Sequence, residues 1–358
     1  MKLKSSYDII VVGSSPLMLI EAYFLAKQGQ NVLIVEKNKN IGGSWQTFSY
    51  KNLSNQLEIG CHVWYRDKRC FNFLNDIFDL DIKPQNFQPK VYRNGIYLPY
   101  YFINFFVLLN SILFISSIKK LRLFKSTLSC FLQDLFNTQK FQYPISGSHG
   151  FLQKILFKVR KEQVDIIFDK EILNIDISKK HVLLSNNVKL GFKKQIVLSV
   201  KAQIKSIVDS KMATHNFNPE ISRVCNLYLI LKNKKEQKIS YVGVWGDDII
   251  YRISDITYND IRLTQRNQRL LCVQVLESHY KSKEKIIVDK LIKMKIIDSF
   301  DNVNTYFWKN HYYYNNSNDL TMNLNNKFSP HLRYLSSHNL IKSFNENYYR
   351  WKKISEEC

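Results

Sequence analysis

The chain has 358 residues, enough for one large domain or two intertwined ones, and with 45% hydrophobic and 14% aromatic residues it can build a sizeable core. Its net charge of +22 raises nucleic acid or an anionic membrane as partners. The lysines scatter over the whole chain, however, and no RGG, RNP or zinc-finger pattern accompanies them, so the charge reads as a Lys-, Asn- and Ile-rich composition and nucleic acid is set aside.

No secretory signal is expected at the N-terminus. Met1-Lys-Leu-Lys is basic, but the apolar run Ile9–Val12 is too short for a signal-peptide core. That run instead predicts a strand buried on both faces of a parallel sheet. Gly13 then permits a sharp turn. Pro16 suits the first turn of a helix, where its missing N–H is no loss. Leu19, Ile20, Tyr23, Phe24 and Ala26 give that helix an apolar face, and Gly29 stops it. Asn31 to Val35 predict a second buried strand ending at Glu36. Glu36 lies 23 positions after Gly13, close to the roughly 20 expected of a carboxylate that binds a ribose hydroxyl. Strand, turn, helix, strand and acid in this order build a dinucleotide pocket. The free N–H groups of Ser14, Ser15 and Leu17, with the helix dipole behind them, would face a pyrophosphate.

The three-glycine fingerprint is degenerate. Only Gly13 stands; Ser15 and Met18 occupy the other two glycine positions. Ser15 is small and its hydroxyl can donate to a phosphate oxygen. Met18 falls where a glycine normally lets helix and strand approach closely, so it is expected at the helix–sheet contact.

The segments that follow resemble a known superfamily. Glu36-Lys37-Asn-Lys-Asn-Ile-Gly42-Gly43-Ser44-Trp45 looks like the glycine-pair motif of FAD enzymes related to amine oxidases, protoporphyrinogen oxidase and UDP-galactopyranose mutase. Gly60-Cys61-His62 resembles their Gly-x-His segment beside the flavin. Tyr143-Pro144 through Gly147 and Gly150 is similar to the segment that opens their second FAD-domain lobe. Asp165 to Ile177, with Ile172 and Ile175, looks like the strand that closes over the adenine, and Ile196 to Val200 like the strand that returns to the sheet. The resemblance implies FAD as cofactor. It also implies an α/β fold: a Rossmann-like FAD-binding domain with a parallel central sheet, plus an interleaved α+β substrate domain. The expected segments are 1–85 and 144–223 for the FAD domain, a helical segment 86–143 and a sheet with a helix over 224–320 for the substrate domain, and 321–358 for a return to the FAD domain.

Asn94 to Ile118 carry no charge for 25 residues, and Lys119, Lys120, Arg122 and Lys125 follow directly. Pro99, Asn104, Asn110 and several serines argue against a membrane span. The stretch reads first as buried helices, second, over 94–125, as a peripheral membrane patch with a basic rim, and last as a true span. Val224–Leu231, Tyr241–Trp245, Ile249–Ile253 and Leu270–Leu276 predict strands flooring a substrate cleft, and Lys283–Ile297 an amphipathic helix. The tail departs from the resembled family, because no glycine follows Gly246. Ser336-Ser337-His338-Asn339 takes the place of the usual glycine motif and opens a helix from Leu340.

The six cysteines are widely spaced and none forms a CxxC pair, so no metal site or disulfide framework is signalled and a reduced, cytoplasmic setting is expected, with membrane association as an alternative. Arg66, Arg93 and Arg252 are candidate anion contacts with a small-molecule substrate. No general base is assignable. Three functions remain open: an FAD-dependent oxidoreductase, a mutase-like flavoprotein acting on a nucleotide sugar, and a non-catalytic descendant without tight FAD binding.

Overall fold

The computed structural model describes residues 3–50, 53, 56–60, 68–85, 89–99, 141–199, 204–209, 211–216, 220–232, 241–257, 267–276, 284–299, 303–315, 331–335 and 340–357. Cys61, His62, Arg66, the run 100–125 and the tail motif 336–339 lie outside them.

Two sheets organise the described residues. In the first, five parallel strands follow the order Asp165–Ile167, Val32–Val35, Ser6–Val12, Lys189–Ser199 and Leu332–Leu335. Ser6–Val12 lies at the centre because Ile10 and Val11 are apolar on successive positions and both are fully buried. A strand covered on both faces needs that unbroken pattern. Beyond Lys189–Ser199 the sheet continues through His181–Leu184, Ile172–Asp176, Ser206–Val208 and Thr214–Asn216. The expected single strand 165–177 is two strands. Asp169 turns the chain with φ +56°, so Asp165–Ile167 ends one edge while Ile172–Asp176 pairs far across the sheet.

The helix Pro16–Lys27 covers the first strand, with Pro16 in its first turn and Gly29 (φ +73°) ending it. Its burial is not the one-sided pattern expected. Every residue from Pro16 to Leu25 is buried, because Gly147–Lys161 and Leu340–Glu357 close over its outer side. Met18 lies in one cluster with Ile9, Val11, Ile34 and Val197, where helix meets sheet. Its unbranched thioether fills a gap that glycine would leave, contributing roughly 1.5–3 kcal/mol of burial.

The second sheet runs in the order Val303–Asn315, Glu220–Leu231, Arg269–Leu276, Ile250–Asp255, Tyr241–Trp245, Pro89–Arg93 and Ile96–Pro99. One face packs on the helix Glu284–Lys293 through Leu227, Leu229, Val273 and Ile287. The other packs on Leu57 and Phe48 through Tyr228, Cys272, Leu270 and Phe307. The hairpin Pro89–Arg93/Ile96–Pro99 joins this sheet by parallel pairing with Tyr241–Trp245, so the segment after residue 86 begins as sheet rather than helix. Ile82–Gln85 and Phe141–Pro144 pair antiparallel, so the chain leaves the first lobe and returns to it side by side. Cys70, Cys225 and Cys272 are buried and form no disulfide. No helix among the described residues is long and apolar enough to cross a membrane.

Candidate functional site

A cavity of about 920 Å³ opens where the first strand ends. This is near the top of the roughly 300–1,000 Å³ range of small-molecule sites, and it lies outside the carboxyl ends of parallel strands, where open α/β sheets bind ligands. Gly13 turns there with φ +94°, and nothing lies within 4 Å of where its Cβ would be. Ser15 is the N-cap of the first helix, but its side chain makes no cap bond. Its buried Oγ has no hydrogen-bond partner. Leu17 and Met18 stand in the first helical turn, where N–H groups have no intrahelical acceptor. The turn therefore presents donors into the cavity, as an oxyanion requires.

Ser14 binds the turn to its surroundings. Its N–H and Oγ donate to Glu36 Oε2 at 2.9 and 2.6 Å. Its carbonyl and Oγ accept from Gly42 N–H at 3.0 and 3.2 Å. Gly42 has φ +115°, and a Cβ there would meet Leu152 Cδ1 at 2.8 Å. Gly43 has φ +57°, and a Cβ there would press on Ser15 Cβ at 3.3 Å. The glycine pair is thus required by close approach as well as by backbone conformation. The 3₁₀ turn Gly43–Trp45 follows, with Trp45 buried against Phe151.

Glu36 is buried at 3% exposure, and its Oε1 also accepts from Asn38 N–H at 2.8 Å. A carboxylate offers about four acceptor positions, so about one remains for a ribose hydroxyl. We predict that Glu36→Ala lowers stability by about 1–3 kcal/mol, because the Ser14 and Asn38 donors lose their acceptor. Cofactor retention should fall with it. Thermal melts of the cofactor-free protein beside cofactor content per chain check this; an unchanged melt would remove Glu36 from its linking role.

The cavity gathers Gly13, Ser14, Ser15, Pro16, Glu36, Lys37, Gly43, Ser44, Trp45 and Ile172 from the sequence candidates. Leu17 and Met18 are fully buried behind it, so their side chains serve the core. Gly60 lies apart from this lining, against the second sheet. Tyr228 Oη accepts from its N–H at 3.1 Å and donates to Glu58 O at 2.8 Å. Burial pushes the Tyr228 hydroxyl well above its ordinary pKa, so it stays protonated and able to donate. Arg252 is half-buried beneath Gly60, with Nη2 3.7 Å from where a Gly60 Cβ would lie. Arg93 is exposed at the tip of the 89–99 hairpin and joins neither group.

Several lining residues were not among the sequence candidates: His149, Arg160, Phe168, Lys170 and Lys309. His149 sits in the Tyr143–Gly150 segment and meets Thr47 Oγ1 at 3.2 Å. Burial lowers its pKa, which favours the neutral ring at neutral pH. Lys170 N–H donates to Glu36 O at 3.1 Å, which brings the 168–171 turn to the cavity wall. Lys309 arrives from the second sheet, its Nζ 5.1 Å from the Phe48 ring centroid. No local sequence signal marks it. No cluster of metal-ligating side chains occurs among the described residues.

The fold and cavity define a mixed α/β protein with a Rossmann-like lobe. Residues 11–77 match the NAD(P)-binding Rossmann-like domain family. No curated protein matches the chain. Among solved structures, a protein described as a protoporphyrinogen oxidase from Exiguobacterium sp. 255-15 is 10% identical, with 100% of both chains covered and a TM-score of 0.66. A reduced UDP-galactopyranose mutase is 13% identical, with 86% of this chain and 82% of the other covered, at 0.61. A putrescine oxidase variant is 11% identical, with 99% of both covered, at 0.63. The chain has the fold of this group of flavoproteins, as the resemblance of its motifs implies.

Proposed function

We propose that this protein binds FAD in the cavity and acts as an FAD-dependent oxidoreductase of the amine oxidase and protoporphyrinogen oxidase type on a small-molecule substrate. The observation that carries this reading is the continuity of the cavity. It begins at the unpartnered Oγ of Ser15 and reaches Phe48 and Lys309, beside the second sheet. The residues present fit such a cofactor. Ser15 Oγ and the first-turn N–H groups from Ser15 to Met18 would hold the pyrophosphate, because the Ser14 donors are taken by Glu36; Glu36 would hold one ribose hydroxyl, and Ile172 with Phe168 the adenine. Gly43 to Trp45 would border the chain between pyrophosphate and ring. Bound there, the flavin supplies the redox chemistry, and these residues supply position and electrostatics.

The deciding experiment is to purify the full chain, denature it and identify any released cofactor. Release of FAD near one per chain is expected. A colourless protein that takes up no added FAD would leave the non-catalytic reading. A second reading, a mutase-like flavoprotein acting on a nucleotide sugar, draws support from the cations Arg252 and Lys309 on the second sheet. Turnover after prior reduction and without any electron acceptor would favour it over net oxidation.

A further inference from the structure

Four polar side chains form one line across the second sheet. Lys309 pairs with Asn226, Asn226 with Gln274, and Gln274 with Arg252 on successive strands. Directly paired residues project from the same face of a sheet. The next line on that face is Phe307, Tyr228, Cys272 and Ser254, which packs toward Leu57 and Phe48. The polar line therefore faces the first lobe. Its Lys309 end lines the cavity, and Gly60 closes over the other end, where a Cβ would lie 3.1 Å from Gln274 Nε2.

Asn226 is the anomaly in this line. It is 0% exposed, yet neither Oδ1 nor Nδ2 has a hydrogen-bond partner. A buried amide without partners costs about 1–3 kcal/mol by mutational measures, and a leucine there would avoid that cost. We propose that Asn226 is a substrate-recognition residue, and that its ligand is an oxyanion-bearing, hydroxylated small molecule such as a sugar phosphate or a sugar carboxylate. This rests on the reading above that the neighbouring cavity takes the cofactor.

The chemistry follows from the line itself. Asn226 offers a donor and an acceptor side by side, which suits hydroxyl groups, since each both donates and accepts. Its neighbours are an amide on one strand and a lysine on the other, with an arginine one strand further. Strands lie about 4.8 Å apart, so Lys309 and Arg252 stand about 14 Å from each other along the line. Two cations flank two amides and no carboxylate stands among them. A cationic amine would meet repulsion at both ends, whereas an oxyanion finds a cation at either.

The test compares wild type with Asn226→Leu by titration calorimetry, with flavin content measured on the same samples. The probes are glucose 1-phosphate, glucuronate, inorganic phosphate and putrescine. Wild type should bind one of the two sugar anions at least tenfold more tightly than inorganic phosphate or putrescine, and which of the two binds separates phosphate from carboxylate. Asn226→Leu should lose at least tenfold of that affinity while keeping its flavin and melting no lower than wild type. A structural role would instead lower the melt. Asn226→Ala, which adds no bulk, should lose the same affinity if leucine perturbs folding. Preference for putrescine overturns the proposal but leaves the flavoprotein reading standing. Loss of flavin with sugar-anion affinity unchanged also overturns it and assigns Asn226 to the cofactor. A wild type without flavin ends the flavoprotein reading and, with it, this one.

Discussion

Replacing Glu21 with alanine should destabilise the protein by about 3–5 kcal/mol, the range measured when one partner of a buried ion pair is removed. Glu21 sits in the middle of the first helix at 0% exposure. It accepts hydrogen bonds from Arg333, Arg350 and, at 2.9 Å, the indole N–H of Trp351. Arg333 belongs to the short strand Leu332–Leu335, and the other two to the helix Leu340–Glu357. One carboxylate thus fastens the last strand and the last helix to the first helix. Trp351 also stacks on Phe24, with ring centroids 5.5 Å apart. Without Glu21, two half-buried guanidiniums face each other uncompensated. Burial, then the charge of Arg350, already pushes Arg333 down to about 9, and burial pushes Arg350 down to about 10. Glu21→Gln should fare little better, because a neutral amide cannot balance two cations. Combining Glu21→Leu with Arg333→Met and Arg350→Met should recover most of the loss. Urea unfolding midpoints measure each step. A Glu21→Ala protein within about 1 kcal/mol of the parent would place this cluster in water rather than in the core.

Ser15→Leu should abolish cofactor retention, whereas Ser15→Gly should leave it nearly intact. Ser15 has extended backbone angles (φ −61°, ψ 159°) at the head of the first helix, and its Cβ lies opposite Gly43. Glycine costs an N-cap only a few tenths of a kcal/mol and restores the close approach of the usual fingerprint. Leucine would project into the cavity or push against Gly43, at a packing cost of about 1–3 kcal/mol. Flavin per chain after desalting, read beside a melting curve, separates lost binding from lost fold. If the leucine variant held flavin as well as the parent, the cofactor would not lie over this turn, and both enzymatic readings would fall.

The first lobe was legible because its signals are local. An apolar run, a glycine with positive φ, a proline at a helix start and an acid at the next strand end all fall within residues 8–36, and each acts on its own stretch of backbone. The central strands of the second sheet and the helix Glu284–Lys293 were legible for the same reason: their apolar patterns repeat at the period of the element that buries them. The Gly42-Gly43 pair and the Tyr143–Gly150 segment could be read as motifs, but not the Ser14 bonds that join the pair to the turn. Burial made by distant partners could not be read. Glu21 looks like a solvent-facing helix residue until Arg333 and Arg350, more than 300 positions away, fold onto it. Lys309 looks like one lysine among many until the sheet sets it beside Asn226. The sequence by itself determined the strand–turn–helix–strand unit and the chemistry of its turn, because those depend on neighbours along the chain. Only the tertiary structure decided that Met18 is a core wedge, that Glu36 is three-quarters occupied by Ser14 and the Asn38 N–H, and that an unpartnered amide lies in a line flanked by two cations, because each depends on which segments become neighbours in space.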